Sequence, residues 1–169
     1  MSAHENLIKI FEYALTQEEI GKSFFQYSLK RMAMGAAVSA FKRLIEGEEE
    51  HILSIRKILD DLRESREIAV PGQRNMVLEP MNYFVKRARP EFLQHCIEGS
   101  MVPDVSVFNT AWLIEKDLSE FYEKMANNTE GKAGEALMML SGWEKGHEEF
   151  FREYRDRLSE FYSKMPWGG

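Results

Sequence analysis

The sequence is poor in cysteine and has no long apolar run. Its single cysteine, Cys96, excludes a disulfide framework within the chain and any metal site built from paired cysteines. No apolar segment approaches the roughly 20 residues that a membrane-spanning helix needs. The first residues also lack the basic and apolar stretches of a secretory signal. We therefore expect a cytoplasmic protein, in a reducing compartment, with no membrane partner.

Positive charge is also scarcer than negative charge. The 169 residues include 22 Lys and Arg against 28 Asp and Glu, which gives a net charge of −6. No stretch concentrates the basic residues, so the electrostatic pattern of a nucleic-acid-binding protein is missing. We predict no nucleic-acid partner. A hydrophobic content of 44% suits one soluble domain with a substantial core.

Proline is absent from two long stretches, 2–65 and 104–165. A proline inside a helix costs about 3 kcal/mol, so each stretch can form an uninterrupted helical hairpin. Gly35 and the polar segment 127–131 indicate the turns of these hairpins. The segment 66–103 is too long for a tight turn and too apolar for a free linker. We interpret it as a crossover that lies along the two hairpins.

Apolar residues recur at alternating steps of three and four in four segments of the chain. This spacing is typical of the buried seam of an antiparallel helical bundle. A long crossover between helices 2 and 3 makes these two helices parallel, which is the ferritin-like connectivity. We therefore predict an all-α fold: one ferritin-like, antiparallel four-helix bundle that covers residues 1–169.

Six acidic and histidine residues lie on the apolar seams. The pattern is a Glu followed about 30 residues later by Glu-x-x-His, and it occurs twice. An unpaired buried carboxylate is costly, so something must compensate this charge. Glu and His three residues apart project from the same side of a helix, and two divalent ions would balance four carboxylates. The six residues are Glu18, Glu48, His51, Glu115, Glu144 and His147.

Oxygen and nitrogen ligands together suit iron or manganese, with zinc possible, and chemistry with dioxygen or peroxide needs the iron pair. We predict a centre of two iron ions held by the six residues. A single Glu-x-x-His in the acid-rich second helix could be a solvated pair, but its recurrence on two seams favours a metal site. Tyr122 faces the same seam, either as a hydrogen-bond donor near the metals or as core packing.

Each helix carries a recognisable segment around its site residues. The segments are Ala14…Glu18…Phe24-Phe25, Leu44-x-x-x-Glu48-x-x-His51, Ala111-x-x-x-Glu115…Phe121-Tyr122-Glu123 and Leu140-x-x-x-Glu144-x-x-His147. Together they resemble the rubrerythrin family. The resemblance covers both hairpins and implies a non-haem di-iron centre on the six residues. It also implies homodimers or larger homo-oligomers, and two-electron reduction of hydrogen peroxide with electrons delivered through a rubredoxin-like domain.

The chain departs from the family pattern in two ways. It lacks the paired Cys-x-x-Cys motifs of a rubredoxin-like domain, so electrons must come from a separate donor such as a rubredoxin-like protein. Leu118 occupies the position at which peroxide-reducing rubrerythrins carry an additional ligating Glu. This chain therefore has no Glu at the position that supports the redox-linked ligand exchange.

Three functions compete at this point. The leading one is a rubrerythrin-type oxidoreductase without a rubredoxin domain, which reduces peroxide or dioxygen. The second is iron handling, as a ferroxidase or a storage protein, and storage would require a hollow shell of subunits. The third is a structural or interaction module stabilised by zinc or manganese.

Overall fold

Four long helices form the part of the chain that the computed structural model describes, residues 3–31, 36–70 and 105–163. They are α1 (Ala3–Arg31), α2 (Ala36–Arg63), α3 (Val105–Asn127) and α4 (Gly131–Ser163). No strand occurs in these ranges, so the all-α prediction is confirmed. No helix among them is both long enough and apolar enough to cross a membrane.

The helices fall within the two predicted hairpins. α1 ends in Lys30 and Arg31, whose positive charges favour the C-terminal end of a helix dipole. Cys96, the predicted turn at Gly35 and residues 71–103 of the predicted crossover lie outside the described residues. The assignment of the whole chain to one domain stays a prediction.

Two hydrophobic layers show how the helices run. The phenylalanine layer joins one ring from each helix, with neighbouring ring centroids between 5.6 and 6.3 Å apart. It consists of Phe25, Phe41, Phe108 and Phe151. The aliphatic layer lies towards the other end of the bundle and includes Phe11, Ala14, Ile55, Ile58, Leu59, Leu118, Tyr122, Leu137 and Leu140.

The order of these residues along the chain fixes the topology. Phe41 and Phe108 lie early in α2 and α3, whereas Phe25 and Phe151 lie late in α1 and α4. α2 and α3 are therefore parallel to each other and antiparallel to α1 and α4. This is the predicted ferritin-like connectivity, and the fold prediction is confirmed.

Contacts between the hairpins show which helices are neighbours. α1 meets α3, where the ring of Tyr13 lies 4.9 Å from that of Phe121. α2 meets α4, where the ring of His51 lies 4.8 Å from that of Trp143. Each helix thus packs against its hairpin partner and one helix of the other hairpin, which leaves four seams facing a common centre.

The turn between α3 and α4 is compact, as its sequence predicts. The amide of Asn128 donates to the carbonyl of Met125 at 3.2 Å, and Gly131 has a φ of 68°, which suits glycine. A Cβ on Gly134 would lie 2.1 Å from the carbonyl oxygen of Thr129. The turn can therefore pack onto the start of α4 only because residue 134 has no side chain.

Candidate metal centre

The six predicted ligands meet midway along the bundle, between the phenylalanine and aliphatic layers. The four glutamates are fully buried, while the side chains of His51 and His147 are 6% and 15% exposed. They form two overlapping groups, and within each group one ligand atom per residue lies within 4.8 Å of the others. The groups are Glu18, Glu48, His51 and Glu144, and Glu48, Glu115, Glu144 and His147.

Each imidazole faces three carboxylates through its Nδ1 atom. His51 Nδ1 lies 2.7 Å from Glu144 Oε1, 3.5 Å from Glu18 Oε2 and 3.9 Å from Glu48 Oε2. His147 Nδ1 lies 3.2 Å from both Glu48 Oε1 and Glu115 Oε2, and 3.7 Å from Glu144 Oε2. The site therefore has two similar halves, one around each histidine.

Glu48 and Glu144 belong to both halves. Each presents one carboxylate oxygen to His51 and the other to His147. A carboxylate with one oxygen towards each of two positions can bridge two metal ions, which an imidazole cannot do. Glu18 and Glu115 lie in one half each, which suits them to bind one ion apiece.

The buried polar atoms of the site fit a pair of cations. Nine-tenths or more of buried polar groups in proteins have a hydrogen-bond partner. Although His51 Nδ1 and Glu144 Oε1 are 2.7 Å apart, they are not aligned as a hydrogen bond, as expected for two atoms directed at a common ion. The site atoms without a hydrogen bond are Glu18 Oε2, both oxygens of Glu48 and Glu144, His51 Nδ1 and Glu115 Oε1.

Without metal, the carboxylates strongly shift one another's pKa. Burial, followed by repulsion from Glu144 and Glu48, raises the pKa of Glu18 well above its usual value. Burial, with repulsion from Glu48 and Glu144, does the same to the pKa of Glu115. Burial is the largest single influence on Glu144 and acts to raise its pKa, but the charge of His51 and the hydrogen-bonding contacts with Glu115, His147 and His51 together lower that pKa well below its usual value.

The imidazoles respond in the opposite sense to burial. Burial is the largest single influence on both histidines and acts to lower their pKa, but the three carboxylates around each ring together outweigh it, and each pKa rises. Without metal, both imidazoles and the carboxyl groups of Glu18 and Glu115 therefore bind protons more tightly than they would in water. Metal ions must displace these protons, because a ligand binds through its deprotonated atom.

Tyr122 completes the half of the site that contains Glu18. Its side chain is fully buried, and its hydroxyl donates a hydrogen bond to Glu18 Oε1. Burial, together with the negative charge of Glu18, raises the pKa of Tyr122, so the hydroxyl keeps its proton. This contact fixes the Glu18 carboxylate and leaves its Oε2 atom for a metal.

The sequence reasoning missed one neighbour of the site, Trp143. Its ring stacks on His51, with centroids 4.8 Å apart and planes 15° apart, and His51 in turn stacks on His147 at 5.5 Å. Trp143 directly precedes Glu144, but it is not on the three-and-four seam used for the prediction. A tryptophan beside a predicted ligand was the only signal in the sequence.

The family model for rubrerythrin matches residues 9–155 of the chain, a span that includes all six site residues. Searches of curated proteins and of solved structures gave no match. Within that span, Leu118 is a buried member of the aliphatic layer. α3 therefore offers Glu115 to the site but no carboxylate at the position of the family's additional ligand.

Proposed function

The chain belongs to the rubrerythrin family of ferritin-like di-iron proteins, and we propose that it is an oxidoreductase that reduces hydrogen peroxide or dioxygen with electrons from a separate donor. The observation that carries this proposal is the shared position of two carboxylates. Glu48 and Glu144 each direct one oxygen to each half of the site, so the halves are built to hold two ions side by side.

We assign iron to both halves. Glutamate and histidine are ligands that iron accepts, and the family supports iron over zinc or manganese. A bound ferrous pair supplies the two electrons that, with two protons, reduce hydrogen peroxide to two molecules of water.

The chain's own residues give this pair its surroundings. Glu48 and Glu144 would hold the two ions close together, while Glu18 and Glu115 would each complete one half. The phenylalanine and aliphatic layers close the site above and below and keep bulk water out. Tyr122 holds its proton on the hydroxyl and orients Glu18, so the carboxylate does not need to reorganise when a metal binds.

The partners belong to the same proposal. The single cysteine cannot form the four-cysteine iron site of a rubredoxin within these 169 residues, which supports a donor outside them. We propose a rubredoxin-like carrier as the donor, and a homodimer as the assembly.

The test is a metal count on protein purified without oxygen, followed by addition of hydrogen peroxide. We expect about two irons per chain, as in other bundles with this ligand set. Peroxide should be consumed continuously when an external reductant is present, and protein loaded with zinc is the matched control. Bound iron that does not react with peroxide would contradict the proposal and favour iron handling. Assembly of the subunits into a hollow shell would then indicate iron storage. Zinc as the native metal would favour a structural role.

A further inference from the structure

The side chain of His147 is the most exposed of the six at the site. It is 15% exposed, against 6% for His51 and none for the four glutamates. Its Nδ1 atom faces the carboxylates, so its opposite edge is directed away from them. Among the six site residues, this ring is therefore the one that solvent reaches most.

Gly47 explains why that edge is open. A Cβ at residue 47 would lie 3.7 Å from both Cε1 and Nε2 of His147, which is ordinary contact. Any longer side chain would extend across the edge of the ring. The glycine costs α2 about 1 kcal/mol relative to alanine, and it places no side chain over the Cε1–Nε2 edge of His147.

The other histidine is covered more fully. The ring of His51 stacks on those of Trp143 and His147, and Trp143 itself is only 8% exposed. The two halves of the site, alike in their ligands, thus differ in their access to the surface.

We propose that electrons enter the metal centre through the edge of His147, in the gap that Gly47 leaves between α2 and α4. This rests on the proposed function, with a one-electron carrier protein as the donor. Each encounter would pass one electron from the reduced carrier, with His147 as the point of entry, to the iron pair that the six residues would hold, and the carrier would leave oxidised. Two encounters would replace the two electrons that reduction of one peroxide consumes.

The test uses Gly47→Leu, which covers the ring edge, and Gly142→Leu as its control. Gly142 lies on the exposed side of α4 with no atom within 4 Å of an added Cβ, so both changes add the same side chain to a helix. Reduced rubredoxin is the probe, and the reduction of the oxidised, iron-loaded protein is followed optically after rapid mixing. We expect Gly47→Leu to slow reduction about tenfold or more, within the range that association rates span among mutants of one interface.

A second readout needs no electron transfer. In protein loaded with zinc and labelled with ¹⁵N, exchange of the His147 Nε2–H with water should slow in Gly47→Leu and remain unchanged in Gly142→Leu. If the leucine variant loses iron, Gly47→Ala replaces it. Its added Cβ makes only ordinary contact, and it should slow both exchange and reduction to a smaller degree.

The possible outcomes separate the inference from the proposed function. Equal reduction rates in the native protein and in a fully iron-loaded Gly47→Leu would overturn the inference and leave the oxidoreductase proposal intact. If Trp143→Leu is reduced slowly while Gly47→Leu is reduced at the native rate, the electron path lies at His51, and this result would also overturn the inference. Failure of rubredoxin to reduce even the native protein would contradict the proposed donor, and the inference with it.

Discussion

Bridging and terminal carboxylates should differ in how many metal ions they hold. Glu144 contributes to both halves of the site, whereas Glu115 contributes only to the half around His147. Removal of Glu115 leaves the four ligands of the other half intact. Removal of Glu144 leaves each half with three ligands and the pair with one bridge. The two substitutions take away the same chemical group, so a difference between them reports on geometry alone.

For Glu115→Ala we expect about one tightly bound ion per chain in place of two, and for Glu144→Ala no tightly bound ion. Loss of an outer hydrogen-bond partner of a metal ligand already costs about 10- to 100-fold in affinity, and loss of the ligand itself should cost more. Each ion in Glu144→Ala should therefore bind more than about 100-fold less tightly. In Glu115→Ala, the affinity for only one of the two ions should fall to this degree.

The assay is an anaerobic titration with Fe(II) in competition with a chelator, and Co(II) serves as an optical substitute. Glu135→Ala is the matched control, because Glu135 lies on the exposed side of α4 and pairs only with Lys132 among the described residues. The reasoning fails if Glu144→Ala keeps one ion at native affinity. It fails equally if Glu115→Ala loses both ions together.

Further predictions test other parts of the structure. Tyr122→Phe should keep the fold and lower the affinity of only the ion on the Glu18 side, by about tenfold. The same titration measures this affinity. In metal-free protein, the raised pKa values of both imidazoles and both outer carboxylates mean that the folded state binds more protons than the unfolded state above about pH 6.5. Stability should therefore fall as pH rises from there through the folded pKa values, and thermal unfolding of metal-loaded protein should show a weaker dependence. Leu118→Glu should lower the midpoint potential of the iron pair in a redox titration, because an added carboxylate stabilises the more positive ferric pair. An unchanged potential would contradict this reasoning. Gly134→Ala should destabilise the protein by about 1–3 kcal/mol in urea unfolding. Gly142→Ala, on an open helix surface, should stabilise it by roughly 0.5–1 kcal/mol.

The sequence was sufficient to predict the helices and the convergence of six residues on one buried site, for a physical reason. A glutamate on an apolar seam is costly, so four such residues in a repeated pattern need a common explanation. The same periodicity that marks the helices also places these residues on the inner side. The turn at 127–131 was predictable because Asn and Gly suit its backbone, and Gly131 does take a positive φ.

Other features depend on how the helices pack, which periodicity does not specify. The stacking of Trp143 on His51 requires the relative rotation of α2 and α4. Residue 134 must be glycine because a carbonyl of the preceding turn lies where a Cβ would be. The edge of His147 carries no side chain from residue 47 because that residue is glycine. The division of the site into shared and unshared carboxylates depends on side-chain rotamers. None of these follows from the spacing of residues along one helix.

In the proposed iron centre, Leu118 would shift the charge balance in a direction that supports electron uptake. Four ionised carboxylates neutralise two ferrous ions, but they leave two positive charges uncompensated when both ions are ferric. An additional carboxylate would offset part of that excess and stabilise the oxidised pair. Leu118 instead packs in the aliphatic layer with Tyr122 and adds no charge. In a buried site, where charges interact strongly, this chain should favour the ferrous pair more than a relative with the additional Glu. A donor of modest reducing power can then return the centre to its reduced state.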